Sequence, residues 1–110
     1  MIDPVTVNNQ LAAIVSDGSS FTVAPGQITL YPGDTVTFNN LTRDPAVIIF
    51  PDERIFGTNM LSIEPDNKAS ALVPADFNMF GSYPYAIYFP NQRVFAHASM
   101  PIIIIYPRKD

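Results

Sequence analysis

The sequence has no cysteine, one histidine and few charges, and each scarcity removes a class of function. Without cysteine there are no disulfides, thiolate nucleophiles, thiolate zinc sites or iron–sulfur clusters. The same absence suits a cytosolic and an exported protein equally. Ser62 and Ser99 have no base within plausible reach except the lone His97, and no Gly-x-Ser-x-Gly elbow is present, so nucleophilic catalysis has no constellation to work with. The six cations, four Arg and two Lys, are scattered against ten carboxylates, for a net charge of −4. No basic patch exists to hold a phosphate backbone, and nucleic acid is not an expected partner. No apolar run approaches the roughly 18 residues of a membrane span. The N-terminus lacks a basic stretch followed by an apolar one, so no signal peptide is read; an exported chain whose leader had been cut off would look the same.

What the sequence does contain is apolar residues, at 47%, and eleven prolines in 110 residues. That balance is too apolar for disorder and too rich in proline for a mostly helical fold. With no linker, repeat or low-complexity tract, residues 1–110 read as a single domain.

Apolar and polar residues alternate in short runs broken about every ten residues by Pro, Gly, Asn and Asp, the pattern of an all-β sandwich or barrel. Strands are expected at Val5-Thr6-Val7, Leu11 to Val15 and Phe21-Thr22-Val23, with a turn at residues 17–20. Residues 27–31 and 35–39 form two more, joined by the turn Pro32-Gly33-Asp34, with Ile28 and Leu30 sharing one face and Val36 and Phe38 another. Val47-Ile48-Ile49-Phe50 lacks alternation and is expected to be covered on both faces. Residues 55–76 read as loops, a helical turn and one strand near Ser70 to Val73. A strand through Tyr83, Tyr85 and Ile87 follows, with Pro84 where one ladder bond can be spared. Four consecutive isoleucines, Ile102 to Ile105, would be an aggregation hazard at an open edge, so that strand is expected to be central or covered.

Three segments in this order carry a resemblance. Residues 27–40, QITLYPGDTVTFNN, then DPAVIIF at 44–50 and GSYPYAIYFP at 81–90, resemble the cupredoxin signature, and SMPIIIIYP resembles that family's closing strand. The resemblance spans about three quarters of the chain and implies a cupredoxin-like Greek-key β-sandwich of about seven to eight strands. It places the family's first copper-binding His at Pro45, the Cys at Ile87 or a neighbour and the second His near Pro90, and none of these side chains ligates copper. A blue-copper centre needs two imidazoles and a thiolate, so the resemblance implies a copper-free relative with no cofactor.

The remaining candidates are few. His97 and Met100 form a His-x-x-Met pair that would give at most a degenerate soft Cu(I) site, the basis of an alternative reading as a copper-binding or electron-transfer protein. The carboxylate pairs Asp52–Glu53 and Glu64–Asp66 are expected to lie in turns and to be solvated, and Asn40-Leu41-Thr42 fits the short N-glycosylation sequon. Tyr88, Phe89 and Phe95 follow the Tyr83–Tyr85 stretch and are expected on loops as exposed aromatic anchors. The expectation is a non-enzymatic module for contact with itself, as a homo-oligomer, or with another protein.

Overall fold

The computed structural model describes residues 8–18, 20–96 and 100–107; Val5-Thr6-Val7, His97 and Ser99 lie outside them. The described residues form β1 (Asn9–Ser16), β2 (Phe21–Ala24), β3 (Gln27–Leu30), β4 (Thr35–Asn40), β5 (Ala46–Ile49), β6 (Met60–Ile63), β7 (Lys68–Leu72), β8 (Gly81–Pro84), β9 (Ala86–Phe89), β10 (Val94–Phe95) and β11 (Ile102–Ile105). The segments outnumber the expected strands because several are interrupted pieces of one line. β8 and β9 are separated only by Tyr85, yet pair in different sheets. Residues 55–76 hold two strands, β6 and β7, where one was expected.

One layer has the order β2-β1-β4-β7, with β1 parallel to β4. The other combines β3-β11-β8 with β10-β9-β5-β6 through the β8–β9 continuation. β11 is central, hydrogen-bonded to β3 in parallel and to β8 in antiparallel fashion, which removes the isoleucine run from any open edge. Non-consecutive neighbours and parallel pairs within a mainly antiparallel sandwich give the Greek-key character.

Period-two alternation decides what faces inward. Ile28 and Leu30, Val36 and Phe38, Ile103 and Ile105 are all buried, along with Ile14, Ile48 and Ile87. β5 departs from expectation: Ala46, Ile48 and the following Phe50 are buried, but Val47 and Ile49 are only half-buried, so the strand has one core face and one outer face. The turn after β3 closes with Asp34 N–H donating to Tyr31 O at 2.9 Å, and Gly33 takes φ +92°, which a side chain would resist. Asp34 is itself buried and its carboxylate accepts the backbone N–H groups of Asn8 and Tyr31, each at 3.0 Å.

Candidate functional site

The metal position implied by the sequence can be tested on its side chains. β5 and β9 are antiparallel neighbours with Val47 opposite Tyr88 and Ile48 opposite Ile87. Pro45 precedes β5 and Pro90 follows β9, so both lie at the same end of this strand pair. Ile87 is buried, Pro45 half-buried and Pro90 exposed. The positions do converge, but they offer only hydrocarbon. The inward ring of Phe89 stacks on Phe21, with centroids 3.8 Å apart and planes at 19°. A copper ion has neither thiolate nor imidazole at these positions, and the residues do not fit it. Among the described residues no group of three or more His, Cys, Asp or Glu side chains is placed to hold a metal ion. Met100 is 60% exposed.

Asn40 sits near this end of β4 and is fully buried. Its Nδ2 donates to Asp44 O (2.8 Å) and Ile63 O (3.0 Å), while Oδ1 accepts from Thr42 N (3.0 Å) and the Thr42 hydroxyl (2.7 Å). Its backbone N–H and C=O bond Asn67 and Asp66. The side chain is a knot tying the β4–β5 connection to β6, and the sequon it belongs to is closed to a glycosyl group in the folded chain.

The carboxylate pairs do not act as pairs. Asp52 bonds Arg54 at 2.8 Å, and that guanidinium holds its carboxyl down from 3.8 to about 2, first through the side-chain hydrogen bond. Asp66 turns the chain between β6 and β7 with φ +61° and donates its N–H to Asn40 O.

The three aromatics expected on loops separate. Phe89 is a correction: β9 extends through it, alternation puts 85, 87 and 89 inward, and Phe89 is completely buried. Tyr88 lies on the same strand rather than beyond it and points the other way, half-buried. Phe95 lies on β10 directly opposite Tyr88, is 57% exposed, and packs its ring 4.9 Å from the tyrosine ring at 51°. Tyr85 is buried against Phe38 (5.8 Å) and Phe50 (6.2 Å), and Tyr83 is half-buried, its hydroxyl donating to Met79 O.

Register then assembles an outer face that the sequence did not announce. One row across the sheet runs Ser62, Val47, Tyr88, Phe95, and the next runs Met60, Ile49, Ala86. Apart from Ser62 and the Tyr88 hydroxyl every side chain in these rows is apolar, none carries a charge, and Met60 is 53% exposed. Val47 and Ile49 were hidden because an unalternating apolar run reads as doubly covered whether or not anything covers it. Met60 lies in the irregular stretch where no periodicity marked a strand.

No protein-family model matches the chain. No curated protein matches it either. Solved structures do. A copper(I) form of an amicyanin mutant superposes with TM-score 0.59 at 15% identity, over 93% of this chain and 86% of that one. A purple cupredoxin from Nitrosopumilus maritimus gives 0.55 at 15%, covering 88% and 99%. A multicopper oxidase from Campylobacter jejuni gives 0.57 at 17%, with 93% of this chain lying on 26% of the oxidase. Strand order, register and these likenesses agree: the chain has the cupredoxin fold, a Greek-key β-sandwich, without the cysteine that a blue-copper site in that fold requires.

Proposed function

We propose that this chain is a non-enzymatic, copper-free contact module, and that the outer face of β10-β9-β5-β6 is where a second copy of the chain docks. The observation that carries the reading is the pair of apolar rows around Tyr88 and Phe95, uninterrupted by charge across four strands. Exposed apolar surface of this kind is kept where something covers it, and aromatic side chains at the middle of such a patch supply most of the binding energy. The occupant is a second copy because the face is self-complementary. Each chain carries a net charge of −4, yet two of these faces bring no like charges together, and a foreign partner of opposite charge would find nothing there to pair with. Sheet-on-sheet packing about 10 Å apart accommodates such a twofold contact.

Sedimentation velocity over a dilution series tests this. Wild type is expected to show a reversible dimer, and Tyr88→Ser with Phe95→Ser to be monomeric with unchanged circular dichroism. A wild type that stays monomeric up to millimolar concentration, or a double variant that associates as well as wild type, overturns the proposal.

A further inference from the structure

With no cysteine in the chain, peroxide finds no thiolate here, and the thioethers of the four methionines are the sulfur it can oxidise. Three of them lie among the described residues, in different settings. Met79 is half-buried and packed against the core. Met100 is exposed two residues before β11. Met60 is exposed as well, and it is the one that register places on the apolar outer face, in the row with Ile49 and Ala86.

β6 is the terminal strand of its sheet, but at Met60 its edge is not open. Phe50 N–H donates to Asn59 O at 2.9 Å, so the next pair, Ile49 with Met60, turns its backbone polar groups away from each other. On that outward side the Thr58 hydroxyl donates to Met60 O at 2.9 Å and accepts Met60 N–H at 3.3 Å. Both backbone groups that an added strand would need at this residue are therefore taken. What Met60 offers a partner is its side chain, on the face. A thioether is apolar and flexible, whereas its sulfoxide carries a strongly polar S–O group that accepts hydrogen bonds. Ile49 and Ala86, its neighbours in the row, supply no side-chain donor, so a sulfoxide here is hydrated in the free chain and loses that water when a second apolar face covers it. Covering and oxidation oppose each other: the sulfoxide disfavours the contact, and the contact shields the thioether.

We propose that Met60 is an oxidation site whose sulfoxide releases the self-contact of the β10-β9-β5-β6 outer face, an inference that rests on the contact proposed above. The oxidant is hydrogen peroxide. The thioether sulfur attacks one peroxide oxygen, the O–O bond breaks, that oxygen stays on sulfur as the sulfoxide, and the other leaves as water; sulfur gives up two electrons and the peroxide takes them. A twofold contact contains Met60 twice, so each dimer carries two such sites.

The test treats the chain with hydrogen peroxide and follows association by sedimentation velocity over a dilution series and the oxidised positions by peptide mass spectrometry. Untreated wild type is expected to dimerise, and its dissociation constant to rise about tenfold or more as Met60 is oxidised, with circular dichroism unchanged. Reduction by the two methionine sulfoxide reductases is expected to restore the dimer. Where the dimer dominates, Met60 is expected to be oxidised several-fold more slowly than in the monomer, with the rate at Met79 unchanged. Met60→Leu, whatever its starting affinity, is expected to keep that affinity through the same treatment. A wild type that is monomeric before treatment sinks the contact and the switch together. A dimer that keeps its affinity with Met60 fully oxidised, or a Met60→Leu variant that loses affinity as wild type does, overturns the switch alone. If that variant does not fold or associate, the time course in wild type decides: association lost while the Met60 thioether is still intact contradicts the assignment.

Discussion

The two layers turn very different faces to solvent. On the first layer the central strand β4 presents Thr35, Thr37 and Asn39 outward, and Asn9 and Ser70 join them: the Thr35 hydroxyl reaches Asn9 Oδ1 at 2.6 Å, and the Thr37 hydroxyl lies 3.0 Å from the same oxygen and 2.7 Å from Ser70 Oγ. Leu11 and Leu72 are exposed there, 67% and 54%, but the polar row lies between them. On the second layer the corresponding strands β5 and β9 present Val47, Ile49, Ala86 and Tyr88. The central strands of both layers, β4 on one and β5 and β9 on the other, bury one parity; the outer parity is where they differ. A sheet with one solvated face is expected to look like the first layer. The second does not, and the proposed contact accounts for the difference.

The sharpest way to break this comparison is with two neighbouring aromatics of opposite parity. Phe89→Ser removes a buried ring stacked on Phe21 and is expected to cost about 4 kcal/mol in chemical denaturation. Phe95→Ser is expected to leave stability within about 0.5 kcal/mol and to act on association alone. Equal losses would mean that the outer face is structural.

The inward polar groups of the two layers offer the next test. Asn40, on the first layer, has every polar atom bonded, and Asn40→Ala strands the carbonyls of Asp44 and Ile63 and the Thr42 amide, at an expected cost of about 3 kcal/mol. Tyr85, on the second, is its opposite: its hydroxyl is buried without a hydrogen-bond partner among the described residues, and burial pushes its pKa upward. Tyr85→Phe keeps the ring against Phe38 and Phe50 and is expected to raise stability by about 1 kcal/mol in the same assay. A loss would show that the hydroxyl is satisfied in solution.

The smallest effect belongs to neither face. The Asp52 pKa is depressed in the folded chain, so its contribution is present above the ordinary 3.8 and fades as pH falls through about 2. Arg54 is exposed and Asp52 partly so, and solvent screens the pair, so Asp52→Asn is expected to leave thermal stability at pH 7 nearly unchanged, with the small difference from wild type vanishing below pH 2.

Much of the scaffold was legible because alternation and turn chemistry are local. The Pro32-Gly33-Asp34 turn, the paired faces of Ile28 with Leu30 and Val36 with Phe38, and the removal of Ile102 to Ile105 from an open edge all follow from spacing and from hazards an open edge would bring. The outer face was not legible, because it is a property of register. Nothing local to Val47 or Met60 says that they flank the row through Tyr88 and Phe95, which requires knowing that β5 lies between β6 and β9. Phe89 was misplaced for a related reason. The expected strand stops at Ile87, whereas the ladder to β10 continues through Phe89 and holds its parity inward.

Methyl NMR of the wild-type chain over a dilution series tests the contrast between the two faces most directly. The proposed contact predicts concentration-dependent shifts at Val47, Ile49 and Met60, with Leu11 and Leu72 unmoved. Shifts at Leu11 and Leu72 with Val47, Ile49 and Met60 unmoved, or no dependence on concentration anywhere, would contradict it.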